Sequence, residues 1–176
     1  MRKLSTNELN RISPQDFSEA KKLPVIAVLD DIRSLNNIGS FFRSSDAFSI
    51  EALFLCGITA CPPHREIQKT ALGATETVRW EYFSTVSEAL SKLKNEGFTI
   101  VCIEQTSESI SLWDFNPSLK SAVIFGNEVD GVSEEAVKLC DFAVEIPQSG
   151  TKHSLNVAVC GGIVLWHCYQ LLAKRI

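Results

Sequence analysis

The sequence predicts an α/β protein built on a mainly parallel sheet with helices on both faces. Short apolar runs rich in β-branched residues recur along the chain with helical segments between them: VIAVL (25–29), ALFLC (52–56), a strand near 78–83, FTIVCIE (98–104), SAVIF (121–125) and FAVEI (142–146). These runs are continuously apolar, as strands covered on both faces are. The unusual polar segments follow strands, at 30–39, 104–112, 126–131 and 147–156. Ligands of such sheets bind there, beyond the carboxyl ends of the strands.

The elements follow in order. Residues 1–24 read as an N-terminal helical lead, helical over 5–22. Within it, Ser13-Pro14-Gln15-Asp16 is a helix start, with Ser as cap, Pro at the first helical position and an acid three residues after the cap. Residues 25–176 read as one domain. Asn37 to Phe48 is a helix with Phe41, Phe42 and Ala47 facing inward. Gly57, Pro62 and Pro63 mark 57–65 as a loop, followed by a short helix over 66–72. Thr85-Val86-Ser87-Glu88 caps a helix that ends at Gly97, and Ser133-Glu134-Glu135 opens another. The last helix spans 153–173. It is apolar around most of its circumference, as a helix buried on most sides is, and this predicts packing on a sheet or a second subunit.

Of the 176 residues, 45% are apolar and 22% charged. This excludes disordered, collagen-like and coiled-coil chains. The net charge of −4 alone argues against a nucleic-acid partner. The charge is uneven, however: residues 1–80 carry a net +1 and residues 81–176 a net −5. Arg33, Arg43, Arg65 and Lys69 lie in or beside predicted loops, and Arg2, Lys3, Arg11, Lys21 and Lys22 lie in the lead. No apolar run reaches the length of about 18 residues that a membrane span needs, and the basic N-terminus lacks the apolar core of a secretory signal. A cytoplasmic protein is expected. The six cysteines form no Cys-x-x-Cys and are expected to be free thiols in a reducing compartment. His64, His153 and His167 do not pair with them at zinc-site spacing, and no metal is expected.

Familiar catalytic signatures are missing. There is no Gly-x-Gly-x-x-Gly, no Gly-x-x-x-x-Gly-Lys-Ser/Thr and no Gly-x-Ser-x-Gly. Asp30-Asp31 follows a strand, but adjacent carboxylates point in different directions, which disfavours a phosphatase pair.

Three segments carry the chemistry. In LDDIRSLNNIGSFFRSSDAF (29–48), Asn37 and Arg43 lie on one predicted helix. In VIFGNEVDGVSEE (123–135), a buried strand runs into Gly126, which lets a ligand approach the backbone, and Glu128. In EIPQSGTKHSLNVAVCGGIVLW (145–166), Ser154 and Asn156 stand at a helix N-terminus, where they cap or meet a polar ligand. Gly161-Gly162 costs helix stability, about 1 kcal/mol each, and predicts close packing.

In order and spacing, these segments resemble motifs one, two and three of the SpoU branch of the SPOUT superfamily, the ribose 2′-O-methyltransferases of RNA. The resemblance covers roughly residues 25–173. Within it, GFTIVCIEQTSESISLWDF (97–115) and EIPQSGTKHSLNV are similar to the catalytic domains of tRNA guanosine-18 enzymes; rRNA is the second target class. The resemblance implies a C-terminal deep trefoil knot, although knots are very rare among folds. It implies an S-adenosylmethionine pocket built largely from backbone at Gly126, Ile146 and Leu155, with the segment around Glu104, Gln105 and Thr106 as another wall. It implies that Asn37, Arg43, Glu128, Ser154 and Asn156 form the catalytic set, with Asn37 positioning Arg43 or the ribose. Since an arginine is effectively always protonated, Arg43 is expected to hold an RNA phosphate and stabilise developing alkoxide charge. The departure from the family pattern is Ser34-Leu35-Asn36, where many members have a proline before the Asn. This bears on loop rigidity and removes no catalytic group.

The resemblance also implies a homodimer with its site near the interface. RNA would then be gripped by the domain itself, with modest, salt-sensitive affinity. Two other readings stand beside this one: a dimeric RNA-binding module that has lost catalysis, and a binder of another small cofactor.

Overall fold

The computed structural model describes residues 1–9 and 11–175; Asn10, inside the predicted lead, and Ile176 lie outside the described residues. Seven parallel strands form one sheet in the order β3-β2-β1-β6-β4-β7-β5. They are β1 (Leu23–Asp30), β2 (Ile50–Cys56), β3 (Trp80–Phe83), β4 (Thr99–Ile103), β5 (Ile110–Ser111), β6 (Ser121–Phe125) and β7 (Phe142–Glu145). The helices are α1 (Pro14–Glu19), α2 (Leu35–Ala47), α3 (Arg65–Ala71), α4 (Val86–Asn95), α5 (Glu134–Leu139) and α6 (Val157–Leu172).

Successive strand side chains point to opposite faces, and the core divides accordingly. Val25, Ala27 and Leu29 of β1 join Val123 and Phe125 of β6 in a cluster covered by α2, α3 and α6. Ile26 and Val28 join Ala122 and Ile124 in a second cluster, covered by α4 and α5. Both faces are therefore buried, which is why the strands carry no polar alternation. No helix among the described residues is long and apolar enough to cross a membrane.

Most predicted elements appear, with instructive differences. The lead is not one helix: a 3₁₀ turn at Thr6–Leu9 precedes α1, whose cap Ser13 accepts from Asp16 N at 3.1 Å, and β1 already begins at Leu23. Ala47 is exposed rather than inward. The buried stripe of α2 is Ile38, Phe41, Phe42 and Ser45, the one-face helical spacing, and position 47 falls off it. Gly97 ends the fourth helix as expected, at φ +81°. The last helix begins at Val157, not 153, because Asn156 is its cap and turns the chain extended at φ −56°, ψ 134°. The two-residue strand β5 was not anticipated.

The C-terminal third inserts β6 between β1 and β4 and then returns α6 to the face held by α2. It is the segment for which the resemblance implies the knot. The two glycines of α6 differ in surroundings. A Cβ on Gly161 would lie 2.2 Å from the Phe41 ring, whereas one on Gly162 would meet nothing within 4 Å. Gly161 therefore packs on the chain's own α2. Gly161→Ala is expected to cost about 1–3 kcal/mol by overpacking, while Gly162→Ala adds about 0.5–1 kcal/mol by relieving helix entropy. Urea denaturation of the pair checks this; equal effects would refute the packing assignment.

Candidate active site

Strands β1, β6, β4 and β7 are neighbours in the sheet, and their carboxyl-terminal loops meet at one edge. The ends of β6, β4 and β7 and the segments that follow them enclose a cavity of about 700 Å³. Ile103, Phe125, Val144 and Ile146 supply an apolar floor from the strand ends. The walls are the loop after β6, the Glu104-Gln105 turn after β4, and the segment leading into α6. Glu104, Glu128, Asp130 and Glu145 line it together with His153, and among the described residues no lysine or arginine does. A polyphosphate would meet like charge here; a neutral heterocycle carrying a cation would meet apolar surface and opposite charge.

At the mouth, one carboxylate organises two loops. Glu128 Oε2 accepts from Arg33 N at 2.9 Å, and its Oε1 accepts from Ser34 N at 2.9 Å and from Asn37 Nδ2 at 2.9 Å. Asn37 Oδ1 in turn accepts from Asn156 Nδ2 at 3.2 Å, and Asn156 Oδ1 caps α6 by accepting from Ala158 N at 3.0 Å and Val159 N at 3.2 Å. A continuous polar chain thus runs from the loop after β6, through the start of α2, to the start of α6. Partial burial works to raise the Glu128 carboxyl's pKa, but the donors from Arg33, Ser34 and Asn37 together outweigh it, so the carboxyl sits below its ordinary value.

The loop after β6 is tightly folded on itself. A Cβ on Gly126 would lie 2.1 Å from Gly131 C and Val132 N. The glycine therefore makes room for the returning backbone of its own loop, in addition to lining the cavity. Asn127 Oδ1 accepts from Val129 N at 2.8 Å, and Asn127 Nδ2 donates to Asp31 O at 2.8 Å. Glu104 Oε2 accepts from Val132 N at 3.0 Å, and its other oxygen accepts from Gln105 N at 2.8 Å. Glu104 belongs to the segment expected as a pocket wall, and its organising hydrogen bonds are what the structure adds. Asn127 is an organising side chain that the sequence reading did not single out.

The predicted residues fall into three groups. Glu128, Ser154, Asn156, Gln105, Gly126, Ile146 and Leu155 line the cavity. Asn37 joins them through hydrogen bonds. Arg43 and Thr106 do not line it. Arg43 is solvent-exposed on α2, with no hydrogen bond or ion pair among the described residues. The amide of Asn37 is taken by Glu128 and Asn156, so Asn37 does not position Arg43 by contact. The Thr106 hydroxyl accepts from Glu108 N at 3.3 Å and shapes its own turn.

Asp30 and Asp31 serve the scaffold. Asp30 is buried, which pushes its carboxyl pKa up, and it accepts from Ser133 N at 3.0 Å at the start of α5. Asp31 accepts from Ile58 N at 2.8 Å. The described cysteines are free, and burial pushes the Cys160 and Cys168 thiols up to about 12. Among the described residues no cluster of potential ligands is arranged to hold a metal.

With this geometry in view, the chain can be set beside known proteins. The profile of the SpoU rRNA Methylase family matches residues 24–166. The chain is 32% identical over 157 residues to the 23S rRNA (guanosine-2′-O-)-methyltransferase RlmB of Neisseria meningitidis serogroup B, covering 89% of this chain and 62% of that protein. It is 31% identical over 147 residues to the mouse tRNA (guanosine(18)-2′-O)-methyltransferase TARBP1, covering 82% of this chain and 9% of that one. The chain thus spans less than two thirds of either relative. The crystal structure of AdoMet-bound rRNA methyltransferase from Sinorhizobium meliloti shares the fold, with a TM-score of 0.79 at 23% identity over 91% of this chain and 61% of the other.

Proposed function

Because the chain belongs to the SpoU rRNA Methylase family, we propose that it transfers a methyl group from S-adenosylmethionine to a ribose 2′-hydroxyl of RNA. One observation carries this reading: a nucleoside-sized cavity lined by four carboxylates and, among the described residues, by no lysine or arginine opens beside the hydrogen-bonded set of Glu128, Asn37 and Asn156. The cavity's chemistry fits the cofactor. Ile146, Leu155 and Phe125 offer apolar surface to an adenine, and Glu104, Asp130 and Glu145 offer negative charge to its cationic groups. When bound, the cofactor supplies an activated methyl on a sulfonium centre.

The chain's own residues orient the acceptor and manage charge. Glu128 pins the backbone of Arg33 and Ser34 and holds the Asn37 amide, fixing the turn that faces the cavity mouth. Ser154, exposed there and without a hydrogen-bond partner among the described residues, is free to bind a ribose hydroxyl. Arg43, a permanent cation, holds an RNA phosphate and stabilises charge that develops on the attacking oxygen.

We read the acceptor as a guanosine, as the names of both relatives have it, and tRNA as the substrate, on the likeness of segment 97–115 to tRNA guanosine-18 enzymes. The rRNA relative, at 32% identity, keeps rRNA as the second substrate. Val159, Ile163 and Trp166 are exposed along one side of α6, and we assign this stripe to a homodimer interface. Sedimentation checks it: a monomer that methylates at full rate overturns it. The enzyme would act in the cytoplasm, with residues 25–176 as the catalytic domain and 1–24 as its lead.

The decisive experiment incubates the protein with labelled S-adenosylmethionine and, separately, total tRNA and rRNA, then maps the label by mass spectrometry. A 2′-O-methylguanosine in tRNA is expected. Label on a base, or cofactor binding with no transfer to any RNA, would overturn the reading.

A further inference from the structure

The segment 147–155 joins β7 to the cap of α6 and forms a strap along the cavity. It supplies Gln148, His153, Ser154 and Leu155 to the lining, and it is exposed from Gln148 onward. Its ends are fixed: Glu145 belongs to β7, and Asn156 is bound into α6 and to Asn37. Between those ends, among the described residues, a single hydrogen bond ties the strap to the rest of the protein. Gln105 Nε2 donates to His153 O at 2.7 Å, across 48 residues of sequence.

The donor stands on a rigid base. Gln105 follows directly after β4, and its backbone N–H is held by Glu104 Oε1 at 2.8 Å. The other Glu104 oxygen holds Val132 N on the opposite loop. The Gln105 amide therefore reaches out from the sheet edge to a segment with little else to hold it. Segments with few contacts open at low free energy, so one bond weighs heavily in the balance between open and closed strap.

From this geometry we propose that Gln105 is a positioning residue: its side-chain amide latches the strap over the cavity and slows escape of the molecule bound there. The assignment rests on the cavity being the S-adenosylmethionine site only for the identity of that molecule. Losing one net hydrogen bond is expected to raise the open population roughly three- to tenfold.

Two variants and two readouts test it. Gln105→Ala removes the side chain; Gln105→Glu keeps its size but exchanges the donor for a charged acceptor that repels the His153 carbonyl. Lys152 lies in the strap and is exposed, so trypsin cleavage after it reports opening in the cofactor-free protein. Both variants are expected to be cleaved there roughly three- to tenfold faster than wild type, with S-adenosylmethionine dissociating faster by a similar factor and the midpoint of global unfolding unmoved. Wild-type cleavage in both variants would overturn the latch. So would a Glu variant that behaves as wild type while the Ala variant opens, because bulk and not the donor would then hold the strap. If the wild-type protein binds no S-adenosylmethionine yet both variants open at Lys152, the latch stands and the cavity's occupant is reassigned.

Discussion

Arg43→Ala is expected to lower methyl transfer by about two to three orders of magnitude while S-adenosylmethionine binds with unchanged affinity. The structure separates the two effects. Arg43 is exposed on α2, makes no hydrogen bond or ion pair among the described residues, and lies outside the cavity lining. Truncating it removes no contact that holds the fold or the pocket. At six residues from Asn37 it sits about 120° around the helix, away from the Asn37 side chain that meets Glu128. Calorimetry with the cofactor and single-turnover transfer to RNA measure the two properties apart. Retained turnover would remove Arg43 from the mechanism; weakened cofactor binding would move it into the pocket. Arg43→Lys sharpens the result, because an ammonium keeps the charge but loses the planar fork that matches a phosphate.

Glu128→Ala is the second large effect, and it acts through position. Its carboxylate joins the loop after β6 to Arg33, Ser34 and Asn37 at once. Without it the turn before α2 and the Asn37 amide lose their common anchor, and a misplacement of about 1 Å costs about 100-fold in rate. Stability should fall by no more than about 1 kcal/mol, since the residue is exposed and water can replace the lost acceptor. A turnover near wild type would show that the network is incidental to transfer. The network also carries a pH signature. The folded carboxyl titrates below its ordinary 4.5, so its contribution to stability is fully present above that value and drains away as pH falls through the lower, folded one. Unfolding free energy measured against pH should therefore decline on the acid side more gently in Glu128→Ala than in wild type.

What the sequence made legible follows from what each feature writes into side chains. Continuous apolar runs such as VIAVL and SAVIF announced strands buried on both faces, and the sheet is parallel throughout. The caps at Ser13, Thr85 and Ser133 were readable because their hydroxyls follow a fixed local rule. Ser154 and Asn156 both satisfy that rule. Only tertiary contact chose between them, when the Asn156 amide reached Asn37. Strand β5, two residues long, carries no period to read. The partners of Glu128 were hidden for a different reason: two of its three donors are backbone N–H groups of residues 33 and 34, and no side-chain identity marks a backbone donor. The glycine at 126 was visible as a glycine, but the cause of its need, the chain doubling back at 131–132, lies in the fold.

The hydrogen bonds at the cavity mouth have a consequence for how the molecule comes into being. Those of Glu128 to Arg33, Ser34 and Asn37 span 95, 94 and 91 residues, and that of Asn156 to Asn37 spans 119. A chain growing from its N-terminus holds Arg43 early, yet it has no assembled mouth until the stretch beyond Asn156 has been made and docked. Such long-range closure is slow, and incomplete chains expose surface that later elements cover. The cavity mouth should thus be completed late and all at once during synthesis, so that a half-made copy has no assembled site.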